Sequence, residues 1–167
     1  MKNFLNISEI SSKDLRSIID EASLRKSNRD NLNKSSPDKD KPFEGKSMVM
    51  IFEKPSTRTR MSFDIAVKQL GGSSIFLNPE GIHYGKGDES IKDTAKVLSE
   101  YADIIMIRTS NHKNLEEFAQ HLNIPIINGL SDRSHPCQIM SDILTFEELK
   151  GNIKNKTIAW LGDGNNN

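Results

Sequence analysis

Five consecutive residues, Ser56-Thr57-Arg58-Thr59-Arg60, place three hydroxyls and two guanidinium groups side by side. Serine and threonine offer neutral donors, and arginine offers a planar fork that meets phosphate oxygens in pairs. A helix beginning here would add unpaired backbone N–H groups and the positive end of its dipole, which together make an anion cradle. A capped helix start with solvated arginines is the plainer alternative. Further on, His135-Pro136-Cys137-Gln138 sets an imidazole and an amide at a second helix start. Such a pair can donate to a carbonyl oxygen and accept from an amide NH2, which suits a planar carbamoyl-like group. Taken alone, His135 reads equally as a structural hydrogen-bonder. Arg108 closes the apolar run "DIIMI" and is either a third cationic contact or an exposed strand end. Nothing in the sequence marks Cys137 as an activated nucleophile. His83, His112, His121 and His135 lack the clustered spacing of metal ligands.

The elements that must position these groups follow from hydrophobic periodicity. Ser8 to about Arg29 is helical, with Ser11 or Ser12 as a cap. Asn28 to Gly45 is polar and punctuated by proline, and predicts an exposed loop or linker. From there short apolar runs alternate with amphipathic segments. "SMVMIFE", "SSIFLN", "DIIMIRT", "PIINGL" and "KTIAWLGDG" predict strands. "RTRMSFDIAVKQLG", "ESIKDTAKVLSEYA", "NLEEFAQHLN" and "PCQIMSDILTFEELKG" predict helices, the last with Pro136 in its first turn. This alternation predicts an α/β fold, a doubly wound parallel sheet flanked by helices. Ligands of such sheets sit at the carboxyl ends of the strands. Ser56–Arg60, Arg108, His135–Gln138 and Asp163–Asn167 all follow strand ends, so four separate segments converge on one sheet edge. Asn78 to Ser90 is a glycine-punctuated loop apt to close over a ligand, with His83 and Lys86 as its candidate contacts.

Composition narrows the function classes. The 23 basic and 23 acidic residues cancel, so no global field favours nucleic acid or an anionic membrane, and any anion site must be built locally. The single cysteine rules out an internal disulfide and fits a reducing compartment. "MKNFLNISEI" lacks the apolar core of a signal peptide, and no window approaches the roughly 18–20 apolar residues of a membrane span, so a cytoplasmic location is expected. The G-x-x-x-x-G-K-[ST] nucleotide loop is absent, and neither Gly71-Gly72 nor Gly162-Asp163-Gly164 completes G-x-G-x-x-G.

"PSTRTR" before a helix, an arginine after the next-but-one strand, and then "HPCQ" resemble the aspartate/ornithine carbamoyltransferases. The similarity runs from about Ser8 to Asn167. "INGLSDRSHPCQIMSD" and "WLGDGNN" look like the ornithine branch. The resemblance implies that Ser56, Thr57, Arg58 and Thr59 hold the phosphate of carbamoyl phosphate. It assigns Arg108 and His135 to the carbonyl oxygen and Gln138 to the carbamoyl nitrogen, with Arg58, Arg108 and His135 as the catalytic set and Arg60 in support. His83 matches a loop residue that reaches a neighbouring subunit's site in a homotrimer. One extra residue in "GKGDES" leaves the register of Lys86 open, and a lysine on this loop keeps the aspartate branch as the alternative. Of Asn165, Asn166 and Asn167, Asn166 best matches a contact to L-ornithine. The implied reaction is attack of the ornithine side-chain amine on the carbamoyl carbon, giving L-citrulline and phosphate. It needs no cofactor and no metal.

The resemblance also implies residues 1–150 as a carbamoyl-phosphate-binding domain and 151–167 as the start of an ornithine-binding domain, including the first strand of a second α/β domain. On that reading the chain is an N-terminal piece with one half-site, inactive alone, and "KTIAW" is an apolar edge. Two other classes stay open: a phosphate-binding module without turnover, and an interaction domain in which Ser56–Arg60 is a capped helix start.

Overall fold

The computed structural model describes residues 3–78 and 89–162. Four parallel strands form one sheet in the order β2-β1-β3-β4. They are β1 (Ser47–Phe52), β2 (Ser73–Leu77), β3 (Ile104–Arg108) and β4 (Ile126–Leu130). Strands β1 and β3 lie in the middle and pair in register from Met48↔Ile104 to Phe52↔Arg108. Both of their faces are covered, which explains why "SMVMIF" and "IIMIR" run apolar without a polar alternation.

Five helices follow the predicted segments: α1 (Ser12–Ser27), α2 (Thr57–Gln69), α3 (Ile91–Tyr101), α4 (His112–His121) and α5 (Pro136–Lys150). The side chains of Ser11, Ser56, Ser90 and Asn111 each accept a first-turn N–H and so fix the starts of α1 to α4. α5 instead opens on Pro136, whose missing N–H would have had no helical partner there. Alternate strand residues feed two cores. Val49, Ile51, Ile105 and Ile107 meet Ala95, Leu98, Leu115 and Phe118 of α3 and α4. Met48, Met50, Phe52 and Met106 meet Val67 of α2. The chain steps from β1 outward to β2, then crosses back over to β3, so right-handed crossovers place α2 and α3 on opposite faces. The reversal creates a crevice between the carboxyl ends of β1 and β3, the switch point at which doubly wound sheets bind ligands. α5 packs on β4, and α1 packs on α5 through Arg16–Glu147 and Lys26–Glu148 ion pairs.

Two segments show something the sequence does not predict. Residues 28–45 form the exposed loop expected there, and they are also pinned to the end of α2. The Asp38 N–H donates to the Gln69 carbonyl at 2.7 Å, and the Phe43 N–H donates to the Leu70 carbonyl at 2.8 Å. Arg25 and Arg29 both clamp the Asp38 carboxylate. Backbone bonds to terminal helix carbonyls leave no trace in composition, so the sequence shows the exposed loop but not its anchoring. Gly72 is part of the same junction: a Cβ there would lie 2.3 Å from Phe43 Cδ1 and 3.0 Å from two carbonyl oxygens.

The second segment is "KTIAW". Residues 156–161 form no strand, and Ile158, Trp160 and Leu161 are largely exposed. A β-prone run becomes a strand only against a ladder partner, and none meets it among the described residues. The edge that is protected is that of β4. The Phe4 N–H donates to the Ile126 carbonyl and the Asn128 N–H to the Phe4 carbonyl, both at 2.9 Å, so the N-terminal segment covers it.

Candidate active site

A cavity of about 740 Å³ opens at the switch point, walled by the first turns of α2 and α5 and the end of β3. Ser56, Arg58, Thr59, Arg108, His135 and Gln138 all line it. Local structure explains each placement. Ser56 is extended (φ −158°, ψ 111°) and caps α2 by accepting the Thr59 N–H at 3.3 Å. That cap turns the open end of α2, with its unpaired N–H groups, toward the crevice. Arg108 ends β3 beside β1, and its Nη1 donates to Thr59 Oγ1 at 3.3 Å. His135 is the residue before α5, and Gln138 sits one turn in, with its Nε2 donating to Asp142 Oδ1 at 2.8 Å.

The electrostatics are those of an anion site. Arg108 is pulled below the ordinary guanidinium value by burial and then by the charge of Arg58. Its Nε is buried and has no hydrogen-bond partner among the described residues. His135 is pushed down from 6.5 by burial and by Arg108, against an opposing pull from Asp142, so its neutral imidazole is favoured. His135 Nδ1 is likewise buried and unpartnered. Buried polar nitrogens without partners are rare, because each forfeits its hydration, and both of these belong to residues that line the cavity.

Strand β4 delivers His135 through a bulge. Its pairing with β3 slips between Ile107↔Asn128 and Arg108↔Leu130, and Leu130 is forced to φ 148°. Asn128, fully buried, holds this turn together. Its Oδ1 accepts the Leu130 N–H at 2.9 Å, and its Nδ2 donates to the Leu5 carbonyl and to Ser134. A lone polar side chain inside the apolar "PIINGL" was the signal for this role, and sequence reading passed over it. Asp142 was also missed; its position one turn after Gln138 was the available clue. Phe63, Leu130, Ile139 and Trp160 also line the wall and carried no sequence signal, because only long-range packing makes them neighbours.

Of the other candidates with described positions, Cys137 also lines the cavity and the rest fall elsewhere. Thr57 begins α2 but is not part of the wall. Arg60 turns away and stacks on Phe76, its guanidinium carbon 3.8 Å from the ring centroid. Cys137 Sγ donates to the Asn128 carbonyl at 3.6 Å, and burial pushes its thiol up to about 12, which leaves it inert. His112 is buried against Ser131 and Asn6. His83, Lys86, Asn165, Asn166 and Asn167 lie outside the described residues.

A family model described as "Aspartate/ornithine carbamoyltransferase, carbamoyl-P binding domain" matches residues 2–148. The chain belongs to the aspartate/ornithine carbamoyltransferase family. An ornithine carbamoyltransferase of Rhizobium meliloti (strain 1021) is 54% identical over 165 residues, covering 99% of this chain and 52% of the relative. Among solved structures, ornithine carbamoyltransferase from Burkholderia thailandensis E264 superposes with a TM-score of 0.89 at 37% identity, over 99% of this chain and 55% of that one. Ornithine carbamoyltransferase from Pyrococcus furiosus gives a TM-score of 0.85 at 41% identity, over 92% and 47%. The chain thus spans about half the length of these carbamoyltransferases. No helix among the described residues is long and apolar enough to cross a membrane.

Proposed function

We propose that the switch-point cavity binds carbamoyl phosphate for transfer of its carbamoyl group to the side-chain amine of L-ornithine, giving L-citrulline and phosphate. The observation that carries this reading is the convergence of Ser56, Arg58, Thr59, Arg108, His135 and Gln138 on one cavity, with Arg108 Nε and His135 Nδ1 buried and without partners among the described residues. In the proposed arrangement the phosphate rests on the start of α2, held by the first-turn N–H groups, that of Thr57 among them, and by Ser56, Arg58 and Thr59. Arg108 and His135 donate to the carbonyl oxygen, and Gln138 Oε1 accepts from the carbamoyl NH2. The neutral ornithine amine attacks the carbamoyl carbon, the carbon–oxygen bond to phosphate breaks, and the new amide nitrogen sheds a proton. Negative charge grows on the carbonyl oxygen and the departing phosphate, where Arg58, Arg108 and His135 stabilise it. No covalent link to Cys137 is required.

The reading extends to segments beyond this cavity. Residues 1–150 would form the carbamoyl-phosphate domain and 151–167 the start of the ornithine domain, with Asn166 touching ornithine. His83 would reach the site of a neighbouring subunit in a cytoplasmic homotrimer. The 54% identity to an ornithine carbamoyltransferase favours ornithine over aspartate as acceptor. Two measurements test the proposal. Calorimetry on the chain should show carbamoyl phosphate binding, and no heat with carbamoyl phosphate or phosphate would return Ser56–Arg60 to a capped helix start. Assay of the complete gene product should yield citrulline with L-ornithine, whereas turnover only with L-aspartate would reassign the acceptor.

A further inference from the structure

Asp142 has no place in a simple anion site, since its carboxylate lines the same cavity as Arg58 and Arg108 and would repel a phosphate. Its contact explains its presence. Gln138 and Asp142 stand one turn apart on α5, and Gln138 Nε2 lies 2.8 Å from Asp142 Oδ1. An ionised carboxylate can only accept, so the amide of Gln138 must present its NH2 to Asp142. The carbonyl end, Oε1, is then the end left to a ligand. Asparagine at 142 can donate as well as accept, so it would pair with the Gln138 amide in either orientation, including the one that sets NH2 against NH2 of a carbamoyl group.

We infer that Asp142 is a positioning residue that locks the Gln138 side chain with its oxygen toward the ligand, and so selects an amide-bearing phosphate over phosphate alone. This rests on the carbamoyl phosphate reading of the cavity. It makes a prediction that charge alone reverses. Removing a negative charge from an anion site should tighten every anion, whereas replacing an acceptor-only partner by one that also donates should weaken only ligands whose NH2 meets Gln138. Asp142 acts through Gln138 and touches no reacting atom.

The test is isothermal titration of the 167-residue chain with phosphonoacetamide, which carries the amide on a stable phosphonate, and with inorganic phosphate. Wild type, Asp142→Asn, Gln138→Ala and the double variant are compared. In Asp142→Asn, phosphonoacetamide should bind at least about twofold more weakly, the loss when only half of the amide orientations are competent, while phosphate binds unchanged or tighter. In the Gln138→Ala background, Asp142→Asn should add no further loss for the amide ligand. Equal weakening of both ligands, no change for phosphonoacetamide, or the same loss without Gln138 would overturn the positioning role. A wild-type chain that binds neither ligand, or binds phosphate as tightly as the amide, would instead overturn the carbamoyl phosphate reading.

Discussion

Replacing Arg108 by methionine separates what this side chain does for the fold from what it does for a ligand. Among the described residues Arg108 makes one side-chain bond, to Thr59 Oγ1 at 3.3 Å, while its buried Nε finds no partner and Arg58 repels it. Losing that bond costs about 0.5–1.5 kcal/mol, and removing the unpaired donor returns about 1–3 kcal/mol. Arg108→Met should therefore unfold within about 1 kcal/mol of wild type, or slightly later. Ligand linkage should change far more. At a carbamoyl phosphate concentration of 100 times Kd, wild type gains about 2.7 kcal/mol, or roughly 5–11 °C in Tm for a chain of this size. Losing charged hydrogen bonds worth about 2 kcal/mol raises Kd about thirtyfold, so at the same ligand concentration the variant gains only about 0.8 kcal/mol, roughly 2–3 °C. Differential scanning fluorimetry with and without ligand reads both numbers. A variant that keeps the full ligand shift would show that Arg108 does not touch the ligand. One that loses more than about 2 kcal/mol without ligand would show that the side chain is structural.

Three further outcomes follow from the same geometry. His135 has a folded value below 6.5, so the unfolded chain binds more protons in the window just under that value, and stability should fall as pH drops through it. Urea titrations from pH 7.5 to 5 should show this slope reduced in His135→Gln, and an unchanged slope would place the effect on another group. Cys137, with its thiol near 12, should react with iodoacetamide at pH 8 on the order of a thousandfold more slowly than an exposed thiol, and mass spectrometry after timed labelling measures this. Arg60→Ala should lower stability by about 0.5–1 kcal/mol through loss of the Phe76 stack while leaving ligand affinity within about twofold; a large affinity loss would return Arg60 to the phosphate cradle.

Which parts of this molecule were readable in its sequence follows from the range of the interactions involved. The strands and helices are set by neighbours three to five residues apart, and β1, β3, α2 and α5 appear where periodicity and caps place them. The strand-end rule then carried Ser56, Arg58, Thr59, Arg108, His135 and Gln138 to one cavity, because in a parallel sheet every strand delivers its carboxyl end to the same edge. Arg60 shows where adjacency misleads. It stands beside Thr59, but helical geometry turns it about 100° per residue, and two residues past Arg58 it lies across the helix on Phe76. The docking of residues 28–45 and the coil at "KTIAW" were illegible for a shared reason: each depends on a specific partner backbone, present for Asp38 and Phe43 and unmet among the described residues for Thr157–Leu161. Asp142 lies between these cases. Its spacing from Gln138 was visible, yet an acid near a phosphate site gains meaning only once the amide it faces is seen to have two unlike ends. That is why its substitution should change selectivity between two anions rather than affinity for both.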